Sequence, residues 1–430
     1  MSSILIKNGR VIDPLNFINE KKNILIIDGK IAEVATNLTA EVDEVIDAEG
    51  CWVTPGLIDL HVHLRDPGFE KKETIATGTR SAARGGFTTI CAMPNTKPVI
   101  DNEILVEYVK MKAEREGVVN VLPIGSITKG QEGNELSDIG KMAQSGICAL
   151  SEDGKSVENA GLMRTALKYS SMFNLPVFSH CEDLNLVGKG QINAGNTAAL
   201  LGLRGISNES EEVIVSRDMI LAKAANAQLH LCHISTKGSV DLIEDAKRRG
   251  VNVTAEVTPH HFTLSDEDII DYDSNFKMNP PLRTKKDVEA LKNALQRGII
   301  DVIATDHAPH HQDEKNCEFE KAANGIIGLE TALPLALTEL VYGGYLSETE
   351  LVEKMSVNPA KILGIDKGNL AIGRPADIAV IDPTAEYEID VNEMVSKAKN
   401  TPFHGRKVKG KVLYTLVGGK IVLDNGKLRD

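Results

Sequence analysis

The chain has 430 residues, of which 42% are hydrophobic and 4% aromatic, and a formal net charge of -13. That length supports a large core, divided between one big domain and a smaller one. The acidic balance and the lack of any basic block argue against nucleic-acid binding and against attraction to an anionic membrane surface, so an anionic substrate would have to be met by local cations that outweigh the overall field.

The N-terminal stretch "MSSILIKNGRVIDP" alternates apolar and polar residues and reads as a strand, not as a signal peptide. "ILIKNGRVI" and "NILIIDGKIAEV" each carry an NG or DG inside apolar alternation, which is a hairpin signal. From about residue 55 to 360 the texture changes. Short apolar runs at 57–63, 88–93, 119–126, 146–151, 175–180, 228–233, 252–256 and 301–305 read as strands, separated by helical patterns such as "ENAGLMRTALKYSSMFN" and "KGSVDLIEDAKRRG". Regular β-then-α alternation predicts an α/β fold with parallel strands, and eight units over this length fit a (β/α)8 TIM barrel better than an open doubly wound sheet. The β-rich texture returns in "ADIAVIDP" and "VLYTLVGGKIVLDNGKL". The two ends are therefore expected to build one small composite β-sandwich domain from residues 1–54 and 366–430, around a barrel spanning 55–365. The cysteines at 51, 91, 148, 181, 232 and 317 read as reduced core thiols, and no apolar run is long enough to cross a bilayer. The expectation is a soluble cytoplasmic protein.

Chemistry-bearing residues collect where the strands should exit. "DLHVHLRDPG" sets His61 and His63 two apart, on one strand face, at the end where barrel enzymes place their chemistry. The fourth strand ends in "CALSEDG", the fifth in "FSHCED", the sixth in "LHLCHIST" and the eighth in "VIATDHAPH". Imidazoles and carboxylates converging from separate strand ends suit a zinc-type centre with a position left open for water. In "ALSEDG" face alternation favours Asp153 as a ligand and pairs Glu152 with a cation; Lys155 is either a carbamylated bridging ligand or a solvent-facing loop lysine. His230 and His233 cannot share a face, and strand logic does not choose between them, although His233 lies nearer the exit. His260 and His261 are read as structural. Arg65 continues the His61–His63 face, where its guanidinium would either grip a substrate carboxylate or pair with Asp66 or Glu70. Asn279, in "KMNPPLR", is placed to hold a turn before the two prolines. The polar loop from His310 to Asn324 is either a lid or an ordinary solvated loop.

Together "DLHVHLRDPG", "AMPNT", "SEDG", "SHCED", "CHIST" and "ATDHAPH" resemble the amidohydrolase superfamily and, within it, the class I dihydroorotases. The resemblance covers nearly the whole chain and implies a metal-dependent hydrolase of pyrimidine biosynthesis that interconverts N-carbamoyl-L-aspartate and dihydroorotate. It implies one or two Zn2+ ions per subunit. His61, His63 and Asp306 would hold one ion, His180 and His233 a second, and Asp153 would bridge them. Asp306 would be either the proton shuttle or a ligand only. Substrate contacts are implied at His63, Arg65, Asn95, Asn279 and His310. Similar proteins carry an aromatic-glycine pair before "GLET", whereas here the pair is Asn324-Gly325. The backbone contact is expected there, without the packing of an aromatic. The resemblance leaves room for a homodimer and for association with aspartate transcarbamoylase. The competing expectations are another cyclic amidohydrolase, an allantoinase or dihydropyrimidinase, and a non-catalytic scaffold for that transcarbamoylase.

Overall fold

Eight apolar runs of the middle segment form strands, labelled here β1 (Leu57–Val62), β2 (Phe87–Ala92), β3 (Asn120–Ser126), β4 (Ala149–Ser151), β5 (Val177–Ser179), β6 (Leu229–Leu231), β7 (Val253–Val257) and β8 (Val302–Ile303). The computed structural model describes residues 2–429. These strands make one eight-stranded sheet in chain order, each paired in parallel with the next. Helices fill the connections, among them Ile75–Arg84, Glu103–Glu116, Ala160–Ser171, Lys237–Arg248 and Lys285–Gln296. Their starts are set by Thr74, Asn102, Asn159, Thr236 and Thr284, whose side chains each accept a backbone N–H of the first turn.

Closure comes from the chain just past β8. His307 bridges to Val62 in parallel register, and the His63 N–H donates to the His307 carbonyl at 2.9 Å. A fully buried carboxylate, Asp59, reinforces this seam. It accepts from the Thr305 N–H at 3.1 Å, the Thr305 hydroxyl at 2.6 Å and the His61 N–H at 3.1 Å. Ile58, Leu60, Cys91, Phe178, Cys232 and Val302, from strands around the cylinder, form one apolar cluster that fills the barrel interior.

The two ends of the chain build two further sheets. One orders Lys30–Ala35, Asn23–Ile27, Ser3–Lys7 and Glu44–Asp47; the other has seven strands and includes Arg10–Asp13, Trp52–Pro55, Ile378–Glu388 and Lys407–Val417. Ile6, Ile24, Ile26, Val53, Ile378 and Leu416 form the core between them. Ile378–Glu388 pairs antiparallel with Trp52–Pro55, the strand that leads directly into β1, so the C-terminal segment is anchored on the N-terminal one. The hairpin expectation holds at Asp28-Gly29 and fails at Asn8-Gly9. Ser3–Lys7 and Arg10–Asp13 lie in different sheets, and Asn8, at φ +66°, turns the chain from one sheet into the other. Alternation and an NG pair specify a reversal but not which strand receives it.

Asp59→Ala removes the acceptor of two buried N–H groups at the barrel seam. It is expected to lower stability by about 2–3 kcal/mol, read as a drop in the denaturant midpoint, with Asp59→Asn milder because one acceptor oxygen remains.

Candidate metal centre

The structure brings His61, His63, Asp153, His180, His233 and Asp306 together at the C-terminal mouth of the barrel. Asp153 is central: its Oδ1 lies 3.2 Å from His61 Nε2, 3.5 Å from His180 Nδ1 and 3.6 Å from His233 Nε2, and its Oδ2 lies 3.3 Å from His63 Nε2. Asp306 Oδ1 is 3.1 Å from His63 Nε2 and 3.6 Å from His61 Nε2. His180 Nδ1 and His233 Nε2 stand 2.9 Å apart. His61, His63 and Asp306 form one potential ligand triad, and His61, Asp153 and His233 another.

Three of the imidazoles are held from behind by the ring nitrogen that does not face the centre. His61 Nδ1 donates to Glu256 at 2.7 Å, His63 Nδ1 to Asn95 Oδ1 at 2.8 Å, and His180 Nε2 to Glu182 at 3.2 Å. This fixes each tautomer and aims the opposite lone pair at a common point, as in metal-binding histidines. His61 Nε2 and Asp153 Oδ1 are buried and make no hydrogen bond despite their 3.2 Å separation. A divalent cation fits such a pair of unpartnered imidazole and carboxylate donors.

The electrostatics agree. Burial alone would raise the Asp153 carboxyl, yet His61, His180 and His233 pull it well below the ordinary range. Asp306 is likewise opposed by burial but is lowered to about 2 by the His63 hydrogen bond and the charges of His61 and His63. Burial disfavours protonated His61 and His180, but Asp153 and Glu256 push His61 well up, and Asp153 and Glu182 lift His180 to about 10. Without a cation, protons on these rings balance the buried carboxylates; a cation would displace them.

A cavity of about 220 Å³ opens on this cluster, and its walls include every substrate residue expected from the sequence: His63, Arg65, Asn95, Asn279, His310, Asn324 and Gly325. β1 ends at Val62, and Arg65, at φ +61°, lies beyond the strand and does not continue its face. It pairs with neither Asp66 nor Glu70. Asp66 is taken by Lys112 at 2.7 Å, Glu70 accepts from the Gly68 N–H, and Arg65 donates to the Pro309 carbonyl at 3.1 Å, with His310 Nε2 3.3 Å away. Asn279 makes no turn of its own. Its Nδ2 donates to Glu182 at 3.0 Å, which turns its carbonyl oxygen away from that carboxylate. Glu152 meets no cation either, because its oxygens accept the N–H and hydroxyl of Thr128. Lys155 points away from the centre, donating to the Gln131 carbonyl at 2.9 Å. Of the two β6 histidines, His233 reaches the centre at φ +33°, while His230 lies below it and donates to Glu256 at 3.0 Å. His261 is held by Thr258 and the Pro280 carbonyl. Cys317 is exposed, contrary to the expectation of six core thiols, because its loop is charged and not apolar.

Sequence reasoning missed the supporting carboxylates. Glu256 serves His61, His230 and the His233 N–H at once. Glu182 serves both His180 and Asn279. His307, next to Asp306, contacts Glu73 at 3.4 Å and accepts the Gly328 N–H at 3.1 Å, which fixes the backbone carrying Asp306. An acid inside "TAEV" or "SHCED" was the available signal, but its partners lie on other strands. Arg65, His233 and Asp306 all have left-handed backbone, a strained arrangement kept only where the surroundings enforce it.

A dihydro-orotase-like family model matches residues 50–239, and an amidohydrolase family model matches residues 233–423. The chain is 54% identical over 420 residues to a dihydroorotase of Acetivibrio thermocellus, covering 98% of this chain and 99% of the relative. It is 53% identical over 421 residues to a dihydroorotase of Geotalea daltonii, covering 98% and 99%. Among solved structures, an L-hydantoinase (dihydropyrimidinase) from Arthrobacter aurescens superposes with a TM-score of 0.90 at 27% identity, over 100% of this chain and 98% of that one. A D-hydantoinase (dihydropyrimidinase) from Thermus sp. superposes with a TM-score of 0.86, also at 27% identity, over 99% and 96%. The chain belongs to the dihydroorotase family, metal-dependent cyclic amide hydrolases of the amidohydrolase superfamily.

Proposed function

We propose that the chain catalyses the reversible cyclisation of N-carbamoyl-L-aspartate to (S)-dihydroorotate in pyrimidine biosynthesis, at a zinc centre held by His61, His63, Asp153, His180, His233 and Asp306. The observation that carries this reading is the pairing, in one cavity of about 220 Å³, of that donor set with Arg65, a buried cation that has no carboxylate partner among the described residues. A zinc ion held by these residues would supply Lewis acidity, lowering the pKa of water toward about 7 and polarising the scissile carbonyl.

The protein's own groups do the rest. Arg65 offers a planar fork to the substrate carboxylate, and His310, lowered to about 2 by burial and by the charges of Arg65, Lys72 and Lys315, stays neutral beside it. Asn95 holds His63, and Asn279, anchored on Glu182, presents its carbonyl oxygen as an acceptor for a substrate N–H. Asp306 is ionised at neutral pH and stands at the reacting end of the cavity. In hydrolysis it takes the proton of the attacking water and returns it to the departing ring nitrogen; in ring closure the transfers run in reverse.

The hydantoinase-like readings share the metal ligands, so substrate choice separates them. The scaffold reading is weakened by the presence of the complete ligand set. No helix among the described residues is long and apolar enough to cross a membrane, and the six cysteines are unpaired, which supports a cytoplasmic setting.

Asp306→Asn is expected to lower kcat by about 10²- to 10⁴-fold while the folded protein persists, measured with metal content determined on the same sample; full activity would remove its proton-transfer role. Arg65→Gln should raise KM for dihydroorotate by about 10- to 100-fold, the loss of a charged hydrogen-bonding partner. Turnover of hydantoin in preference to dihydroorotate by the wild type would point to the alternative enzyme class. Because ring closure takes up one proton, the equilibrium ratio of dihydroorotate to N-carbamoyl-aspartate should fall about tenfold per pH unit as pH rises near neutrality; a ratio independent of pH would exclude this substrate pair.

A further inference from the structure

Two lysines behind the substrate pocket are buried without counterions. Lys315 is 6% exposed and Lys277 4% exposed, and neither ammonium has a carboxylate within ion-pairing distance among the described residues. Lys315 Nζ donates to three carbonyls, those of Ala323 at 2.8 Å, Gly325 at 3.0 Å and Lys277 at 3.2 Å. Lys277 Nζ donates to the carbonyls of Phe319 at 2.7 Å and Glu320 at 3.0 Å, and its own carbonyl accepts the Gly325 N–H at 3.0 Å. The two lysines thus strap the loop after β8 to the segment around Lys277. The strap ends on the Ala323–Gly325 turn, of which Asn324 and Gly325 line the substrate cavity.

Three carbonyl acceptors suit an ammonium, which has three protons to give, better than a neutral amine, which has two. Carbonyl dipoles satisfy those protons but do not cancel the charge. A buried cation left in that state costs free energy that a nearby anion recovers. We propose that Lys315 is a positioning residue for the anionic group of the substrate: it fastens the turn that contacts the ring and lends the pocket a positive charge that stays uncompensated until the anion enters. This rests on the substrate assignment above and adds a second cation to Arg65.

The arrangement is sensitive to pH. Burial and the neighbouring Lys277 charge lower Lys315 to about 7, against the opposing effects of Asp273 and Cys317. The other charged or titratable groups around it are His310, His311 and Glu314 on its own loop, Arg65, Lys71 and Lys72 on the loop after β1, and Lys397 and Lys399 across the adjoining cavity. A lysine with a lowered pKa is charged below that pKa and neutral above it, so its help to an anion is present on the acid side of neutrality and lost on the alkaline side.

The test is the pH profile of KM for N-carbamoyl-aspartate in wild type, Lys315→Met and Lys315→Gln. Below the lysine's pKa, Lys315→Met should raise KM about tenfold with kcat within about twofold of wild type, and the ratio of the two KM values should shrink toward one at alkaline pH. Lys315→Gln keeps a donor for the carbonyls without the charge. It should show the same KM rise, and it serves as the test variant should Lys315→Met not fold. An unchanged KM, a KM ratio independent of pH, or a fall in kcat alone would overturn the role of Lys315. Wild-type protein inactive on both N-carbamoyl-aspartate and dihydroorotate would instead overturn the substrate assignment.

Discussion

Buried negative charge that the surrounding protein balances chiefly with imidazoles organises the mouth of the barrel. Asp153, Asp306, Glu182 and Glu256 are all nearly or fully buried, and the groups that face them are chiefly His61, His63, His180, His230 and His233. Taking several carboxylates out of water is costly unless each gains a hydrogen-bonded, positively charged partner. The structure meets that demand in two layers. Asp153 and Asp306 meet the ring nitrogens directed at the centre, while Glu182 and Glu256 take the outward nitrogens of His180 and His61. A divalent cation at the centre supplies the charge that the rings otherwise hold only as protons.

That demand extends down the strands. Asp59 ties the His61 N–H to Thr305, one residue before Asp306, so the two strands that carry the first ligand triad are joined just below it. His307 locks the same stretch to Glu73 and Gly328 from the outside. These contacts on both sides of Asp306 hold its left-handed backbone in place.

The architecture could be read from the sequence because it leaves local marks, whereas the full donor set, including the choice of His233 over His230, was implied only by the family resemblance. Each strand is a short apolar run that alternates with a helical pattern, and each ligand sits where such a run stops. Arg65 shows where local reasoning ends: period-two logic assumed that β1 continued, whereas the strand stops at Val62 and the chain turns left-handed. Glu182 and Glu256 were invisible for a different reason. An acid near a strand end looks like any loop acid until its cross-strand histidine is known, and no spacing rule within one strand supplies that partner. The Asn8-Gly9 turn failed in the same way, since a turn signal does not say which sheet receives the next strand.

The likeness to hydantoinases in shape and to dihydroorotases in sequence is consistent with a division of labour in the fold. The candidate metal donors stand at or just past strand ends that the closed sheet holds in place. On the function proposed above, selectivity would come from the loops that line the cavity: Arg65 after β1, Asn279 after β7, and the His310–Gly325 segment after β8. At Asn324, where the family resemblance implies an aromatic, the local contacts run through the peptide. His310 Nε2 lies 2.8 Å from the Asn324 carbonyl, and the next residue, Gly325, at φ +122°, donates its N–H to Lys277 while its carbonyl accepts from Lys315 and Asn400. All these contacts are made by main chain. An added Cβ at Gly325 would come within 2.6 Å of the Ala308 Cβ, so the glycine is constrained by space as well as by backbone angle. At position 324 the contact to His310 is carried by the peptide carbonyl.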